Sequence, residues 1–239
     1  MEQSHFAEEK AMKTEIFLQA EQVAAEAAAY LEQVIREAFT HQKSFSLAIS
    51  GGRTPWEMLK ILSKADLPWQ QVNLFQVDER VAPDGHPDRN LTQLFQAISG
   101  TPMLRNLRIF PMPVNAKDLD AAVKEYAEVL NEITEGKGLD LIHLGIGVDG
   151  HTASLVPGDA VLEIQNRLVA CTQKSYQGRF RMTLTYPLIN GAKQILWIVT
   201  GSEKKEMVQR LLQQDSSIPA GNIRQENALL LVDQAAIEG

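Results

Sequence analysis

The sequence predicts an α/β protein with a mostly parallel sheet flanked by helices. Three observations carry this. Short β-prone runs alternate with amphipathic helical segments along most of the chain, the order that βαβ units impose. Several strands run straight into glycine-containing loops, Ser50-Gly51-Gly52 and Gly145-Ile146-Gly147 among them. The 239 residues are 44% hydrophobic and 22% charged, a mix that folds into a buried core rather than staying disordered.

In chain order, residues 1–12 read as a loose polar arm, and Thr14 to Leu18 as a short strand. Glu21 to Phe39 places Val23, Ala27, Leu31, Val34, Ile35 and Ala38 at helical spacing. Phe45 to Ile49 is a strand, and Pro55 opens the helix WEMLKIL, where a missing N–H costs nothing. Val72 to Val77 is the next strand; the loop VAPDGHPDRN follows, with Asn90 expected to cap the helix LTQLFQAI. Arg108 to Phe110 is a strand, Asp118 to Ile133 a helix, and Leu139 to Leu144 a strand. Arg167 to Thr172, Arg181 to Thr185, Gln194 to Thr200 and Ala228 to Val232 are further strands, with a helix from Ser202 to Leu212. The two strands around Lys174 form a local antiparallel exception. With no long linker and no repeat, residues 1–239 are expected to make one domain.

Composition excludes several function classes. Twenty-three basic and 30 acidic residues leave a net charge of −7, unlike the basic patches of nucleic-acid binders. No run approaches the ~18 apolar residues of a membrane helix. The polar start MEQSHFAEEKAMK lacks the features of a signal or transit peptide. A single cysteine, Cys171, excludes an internal disulfide framework and suits a reducing compartment, so a cytoplasmic protein is expected.

Ligands of open α/β sheets bind at the carboxyl ends of strands, so the chemistry is sought in the loops there. Ser50-Gly51-Gly52-Arg53-Thr54-Pro55 joins a strand to a helix start, with glycines for close approach, two hydroxyls, a cation and free N–H groups; this suits a phosphate, although a plain capped turn would look the same. Asp78-Glu79-Arg80 follows another strand and, taken alone, reads as a structural ion pair at a loop start. Gly145 to Gly150 matches GxGxxG. No acid follows at the end of the next strand, and Pro157-Gly158 leaves no room for the long helix, so a dinucleotide is rejected. What remains there is Asp149 and His151, the latter suited to proton transfer near neutral pH.

His5 and His41 read as solvated, His143 as a core histidine, and His86 as a candidate to line a cleft. There is no HExxH and no Cys/His cluster, so neither metal nor cofactor is expected. Cys171 and the three tryptophans, Trp56, Trp69 and Trp197, read as packing. Arg179 and Arg181 share a strand face, and Lys204 and Lys205 stand at a helix start; both pairs are candidate anion partners.

Together the segments ISGGRTP, VDERVAPDGHPDRN, GIGVDGHTASLVPG, RMTLTYPLIN and VTGSEKK, in this order, resemble the 6-phosphogluconolactonase family. The resemblance covers the chain from Ser50 to the last strand. It implies a modified Rossmann-like α/β fold and hydrolysis of 6-phospho-D-glucono-1,5-lactone to 6-phosphogluconate in the pentose phosphate pathway, with no cofactor or metal. By that resemblance Ser50, Gly51, Gly52, Arg53 and Thr54, with Arg181 and Lys204, bind substrate phosphate. His151 activates water, Arg80 stabilises the oxyanion or grips the substrate, Asp78 orients Arg80 or a hydroxyl, and Asp149 orients its loop or a sugar hydroxyl. Arg181 is preferred to Arg179 because RMTLT matches the family's RxTLT. The related glucosamine-6-phosphate deaminases share the SGG and DGH loops but continue HIAFNEP, and Val156 occupies the position of their glutamate. A deaminase, or a sugar-phosphate binder without turnover, is the alternative. Arg53 and Arg89 stand where the family usually has serine, Val156 where it has phenylalanine, and QKSYQGRF replaces its Pro-rich stretch around Lys174.

Overall fold

The computed structural model describes residues 12–238. The arm expected over residues 1–12, with His5, lies outside them except for Met12, which is buried in the core.

The elements, in order, are β1 (Lys13–Phe17), α1 (Ala20–Ala38), β2 (Phe45–Ile49), α2 (Arg53–Leu62), β3 (Val72–Gln76), β4 (Asp78–Arg80), α3 (Asn90–Ala97), α4 (Pro102–Asn106), β5 (Arg108–Phe110), α5 (Leu119–Ile133), β6 (Leu141–Leu144), β7 (Val169–Cys171), β8 (Arg181–Leu184), α6 (Tyr186–Asn190), β9 (Gln194–Val199), α7 (Lys205–Leu212), β10 (Ala228–Asp233) and α8 (Ala235–Glu238). Seven strands make one sheet in the order β1-β10-β9-β6-β2-β3-β5, and every neighbouring pair in it is parallel. A second sheet, β4-β8-β7, is antiparallel. It realises the antiparallel exception expected around Lys174.

The period-2 pleat explains the layering. Leu47, Leu74, Leu196 and Leu229 point to one face, where they meet α1, α2, α3 and α4. Their neighbours Ala48, Phe75, Trp197 and Leu230 point to the other, where they meet α5, α6, α7, α8 and the small sheet. Strands covered on both sides are buried throughout and mostly apolar, as in the wholly buried FSLAI of β2. The Ala-rich face of α1 (Val23, Ala24, Ala27, Ala28, Leu31, Ile35) lies flat on this sheet and against α2.

Two features position the site. The chain continues from β2 to β3 on one side and from β6 to β9 on the other, so a topological switch point opens between β2 and β6, where ligands of such folds bind. Val77 is the second. Its N–H donates to Ile49 O of β2, while its carbonyl accepts from Leu184 N of β8, and the chain leaves one sheet for the other.

Several boundaries differ from expectation. Gly52 precedes the first turn of α2, and the helix begins at Arg53, two residues before Pro55. Asp78-Glu79-Arg80 is a strand rather than a loop start. Asn90 is inside α3 rather than its cap. Arg179 lies in a turn before β8, so it does not share a strand face with Arg181. The short helices α4, α6 and α8 were not expected. No helix among the described residues is long and apolar enough to cross a membrane.

Candidate active site

The loops after β2 and β6 meet at the switch point. Ser50, closing β2, donates its N–H to Nδ1 of His143 on β6 at 3.2 Å. His143 is fully buried, and burial pushes its pKa down to about 3, so its ring is neutral with the proton on Nε2. It is a core histidine, as expected, and it also ties the first loop to the strand that feeds the third. Gly51 passes so close to Asn90 that a Cβ there would lie 2.2 Å from Asn90 Oδ1. Thr54, buried in the first turn of α2, shares a 2.8 Å hydrogen bond with Thr200 at the end of β9.

Two contiguous cavities occupy this end of the sheet. One, of about 490 Å³, is lined by Gly51, Gly52, Arg53, Thr54, Thr200 and Lys204. The other, of about 170 Å³, is lined by Ser50, Asp78, Arg80, Asn90, His151 and Arg181, and Lys204 also borders it. Of the eleven residues that the family resemblance assigns to the site, all except Asp149 line one or the other, whereas the candidates His86, Arg179 and Lys205 line neither. Ser50 Oγ, Arg80 Nε and Arg181 Nε are buried in the second cavity's wall with no hydrogen-bond partner among the described residues. Buried polar atoms are costly to leave unpaired, so their convergence on one cleft points to a polar ligand.

The small sheet supplies the charged wall. Asp78 accepts from Ser154 Oγ at 2.6 Å and from Asn90 Nδ2 at 3.3 Å. Its Oδ2 is 3.7 Å from Arg181 Nη1, with both side chains buried. Burial lowers the Arg181 pKa, and Asp78 opposes that shift. Asp78 therefore pairs with Arg181 rather than with Arg80, the first of the two partners, Arg80 or a substrate hydroxyl, that the resemblance implied. Arg80 instead donates Nη1 to Asp88 O at 2.5 Å.

Glu79, between them, is fully buried and structural. It accepts from the backbone N–H of Arg80, Asn90 and Leu91 and pairs with Arg89 at 3.0 Å. Glu79 thus caps α3 from another element, which frees the Asn90 side chain to bind Asp78.

In the third loop, Gly147 N–H donates to His151 O and Gly150 N–H to Gly147 O, a tight turn that throws His151 back over Gly147. A Cβ on Gly147 would sit 2.0 Å from His151 Nδ1. Asp149 Oδ1 is 2.6 Å from His151 Nδ1 and Tyr176 donates its hydroxyl to Asp149 Oδ2 at 3.0 Å. Burial works to raise the Asp149 pKa. The hydrogen bonds and charge of His151 and the hydroxyl of Tyr176 outweigh it and leave the carboxyl below its ordinary value. An ionised Asp149 is an acceptor for a hydrogen bond from His151 Nδ1–H, and Nε2 has no partner among the described residues.

Arg179 and Lys174 stand outside the cleft. Arg179 binds Asp88 and His86, and Lys174 Nζ donates to Gly158 O at 2.8 Å. His86, a candidate lining residue, is taken up by Arg179 and by the Asp88 N–H. Asn90, Ser154 and Tyr176 had not been assigned to the site. The signal for Asn90 was its place in PDRN, which reads equally as a cap. Among the described residues no group of three or more His, Cys, Asp or Glu side chains could hold a metal ion.

A family model described as glucosamine-6-phosphate isomerases/6-phosphogluconolactonase matches residues 18–232. The chain belongs to this family. Among members of the isomerase/lactonase family, a 6-phosphogluconolactonase of Synechocystis sp. is 32% identical over 213 residues, 85% of this chain and 88% of that one. The crystal structure of a 6-phosphogluconolactonase from Shewanella baltica superposes with a TM-score of 0.84 at 22% identity, over 94% of this chain and 99% of that one. A monomeric glucosamine-6-phosphate deaminase superposes with a TM-score of 0.80 at 20% identity, over 94% and 98%. Both branches of the isomerase/lactonase family thus share this fold, and side chains must distinguish the reactions.

Proposed function

We propose that this chain is a 6-phosphogluconolactonase, hydrolysing 6-phospho-D-glucono-1,5-lactone to 6-phospho-D-gluconate in the oxidative pentose phosphate pathway. The observation that carries the reading is the Asp149–His151 pair, which engages Nδ1 and leaves Nε2 without a partner among the described residues, at the edge of a cleft lined by Arg80, Arg181 and Lys204. Curated relatives of that name, about 30% identical over most of the chain, support it.

In this reading the substrate phosphate rests on Ser50, Gly51, Gly52, Arg53 and Thr54, with Lys204 and Arg181 as cationic partners. The start of α2 adds its N–H groups and positive dipole end. Fixing the phosphate presents the lactone carbonyl to His151. His151 Nε2 takes a proton from water as the water oxygen bonds to C1 and the carbonyl electron pair moves onto oxygen. Arg80 stabilises that oxyanion. Collapse of the intermediate breaks the bond from C1 to the ring oxygen, which receives the proton from the imidazolium. The products are the carboxylic acid and a free C5 hydroxyl on one molecule. Asp149 holds the tautomer, and Asp78 holds Arg181. The enzyme acts as one domain in the cytoplasm, in keeping with its single cysteine and acidic charge balance.

Val156 separates this reaction from deamination. A valine cannot move the proton that opening an amino-sugar ring requires.

The test is production of 6-phosphogluconate from freshly made lactone at mildly acidic pH, read by a coupled dehydrogenase. The wild type accelerates hydrolysis, and His151→Ala loses about 10²–10⁴-fold in kcat with little change in KM. Ammonia release from glucosamine 6-phosphate without lactone hydrolysis would replace this reading with the deaminase.

A further inference from the structure

The segment Gln173–Phe180 is exposed almost throughout, yet Tyr176 turns inward from it. Tyr176 and Arg179 exchange both backbone hydrogen bonds, at 2.8 and 3.2 Å, across Gln177 and Gly178. Both central residues have positive φ, 50° and 77°, the arrangement of a tight two-residue hairpin turn. The hairpin is pinned from three sides. Asp159 accepts from the Gln173 and Lys174 N–H groups, Arg179 pairs with Asp88 at 3.0 Å, and Arg181 Nη2 donates to Gln177 Oε1. Tyr176 is therefore presented on a rigid support.

Its side chain touches both members of the proposed proton-transfer pair. The hydroxyl donates to Asp149 Oδ2 at 3.0 Å and lies 3.3 Å from His151 Nδ1. The ring meets the imidazole edge-on, with centroids 5.0 Å apart. Asp149 thus has one oxygen for His151 and the other for Tyr176, and it cannot turn about its χ angles without breaking one of the two bonds. Burial, reinforced by Asp149, raises the Tyr176 pKa, so the phenol keeps its proton and remains a donor.

The geometry points to Tyr176 as a positioning residue, fixing Asp149 by its second oxygen so that His151 is held as the Nδ1–H tautomer with Nε2 toward the substrate. The inference rests on the assignment of His151 as the base. It adds a residue from the segment QKSYQGRF, in which a two-residue turn carries a tyrosine to the Asp149–His151 pair.

Tyr176→Phe removes the hydroxyl and keeps the ring. Two measurements on the full chain decide the matter. In lactone hydrolysis, kcat falls about tenfold, as expected for one lost orienting hydrogen bond, and KM stays within about twofold. In ¹⁵N NMR of the neutral imidazole, the wild type shows one protonated Nδ1 and one unprotonated Nε2. In the variant the two signals move toward each other as the tautomers mix. Wild-type kcat in the variant overturns the inference. A fall in kcat with unaltered imidazole signals also overturns it, because the hydroxyl would then act on the substrate itself. If the wild type does not hydrolyse the lactone, the proposed reaction fails, and the imidazole signals alone decide whether Tyr176 positions His151: mixed tautomers support it and unchanged ones overturn it.

Discussion

Arg80 and Arg181 stand directly opposite each other across the antiparallel strands β4 and β8. Two like charges at facing positions of a sheet oppose each other. Asp78 balances only Arg181, and Arg80 has no carboxylate within ion-pair distance among the described residues. The wall therefore carries an excess of positive charge, as the proposed phosphate ester would require.

Accordingly, 6-phosphogluconate should stabilise the protein beyond simple expectation for a loose surface ligand. At a hundred times its Kd it contributes about 2.7 kcal/mol, or a Tm rise of about 5–10 °C at this size. In Arg80→Gln the unliganded Tm stays within a few degrees of wild type. The ligand-induced rise shrinks, and kcat/KM drops about 10²-fold. Thermal scans with and without product, beside the coupled assay, check all three.

Gly147→Ala tests the third loop without touching a functional group. The added methyl would overlap His151 Nδ1, so the ring must leave its place beside Asp149. We expect a loss in kcat approaching that of His151→Ala, while circular dichroism and Tm remain close to wild type. Full activity in this variant would mean that His151 works from another position.

Glu79 belongs to stability, not chemistry. Removing its carboxylate leaves the buried Arg89 with only the exposed Asp84 as an ion-pair partner and strips acceptors from three backbone N–H groups. Glu79→Ala should cost about 3–5 kcal/mol in urea unfolding. Lys60→Ala, at an exposed ion pair on α2, should cost less than about 1 kcal/mol and serves as the control.

Acid sensitivity follows from His143. Its pKa is about 3 in the folded chain and near 6.5 when unfolded. Between those values only the unfolded state takes up the proton, so stability falls as pH falls from about 6.5 toward about 3 and is unaffected by His143 above that window. The contribution approaches about 1.4 kcal/mol per pH unit within it. His143→Asn, whose carbonyl can still accept from Ser50 N–H, should flatten this part of a urea-midpoint profile. An equal slope in the variant would assign the acid lability elsewhere.

The parallel sheet and its large helices were legible because each depends on local pattern. The apolar runs of β2, β3 and β9 and the spacing of α1 and α5 need no distant information. The carboxyl-end rule then located the three loops. What escaped depended on partners far along the chain. The three residues of β4 are too few and too polar to register as a strand; only Arg181, Met182 and Thr183 make them one. Asn90 reads as a cap from its neighbours, and it is displaced from that role by Glu79, eleven residues earlier. The choice of Arg181 over Arg179 follows the match to a motif, and burial shows why the two differ: one faces Asp78 in the wall, the other Asp88 on the surface. Tyr176 had no periodic or motif signal, because its role is set by a turn whose inward side chain only the folded hairpin reveals.

The contacts that bind the cleft together join remote parts of the chain. Ser50 meets His143 across 93 positions, Ser154 meets Asp78 across 76, and Arg179 meets Asp88 across 91. Closing such long loops comes late and slowly, after local helices and neighbouring strands have formed. In refolding followed by both signals, turnover should therefore return no earlier than ellipticity, because it needs both halves of the molecule to have met.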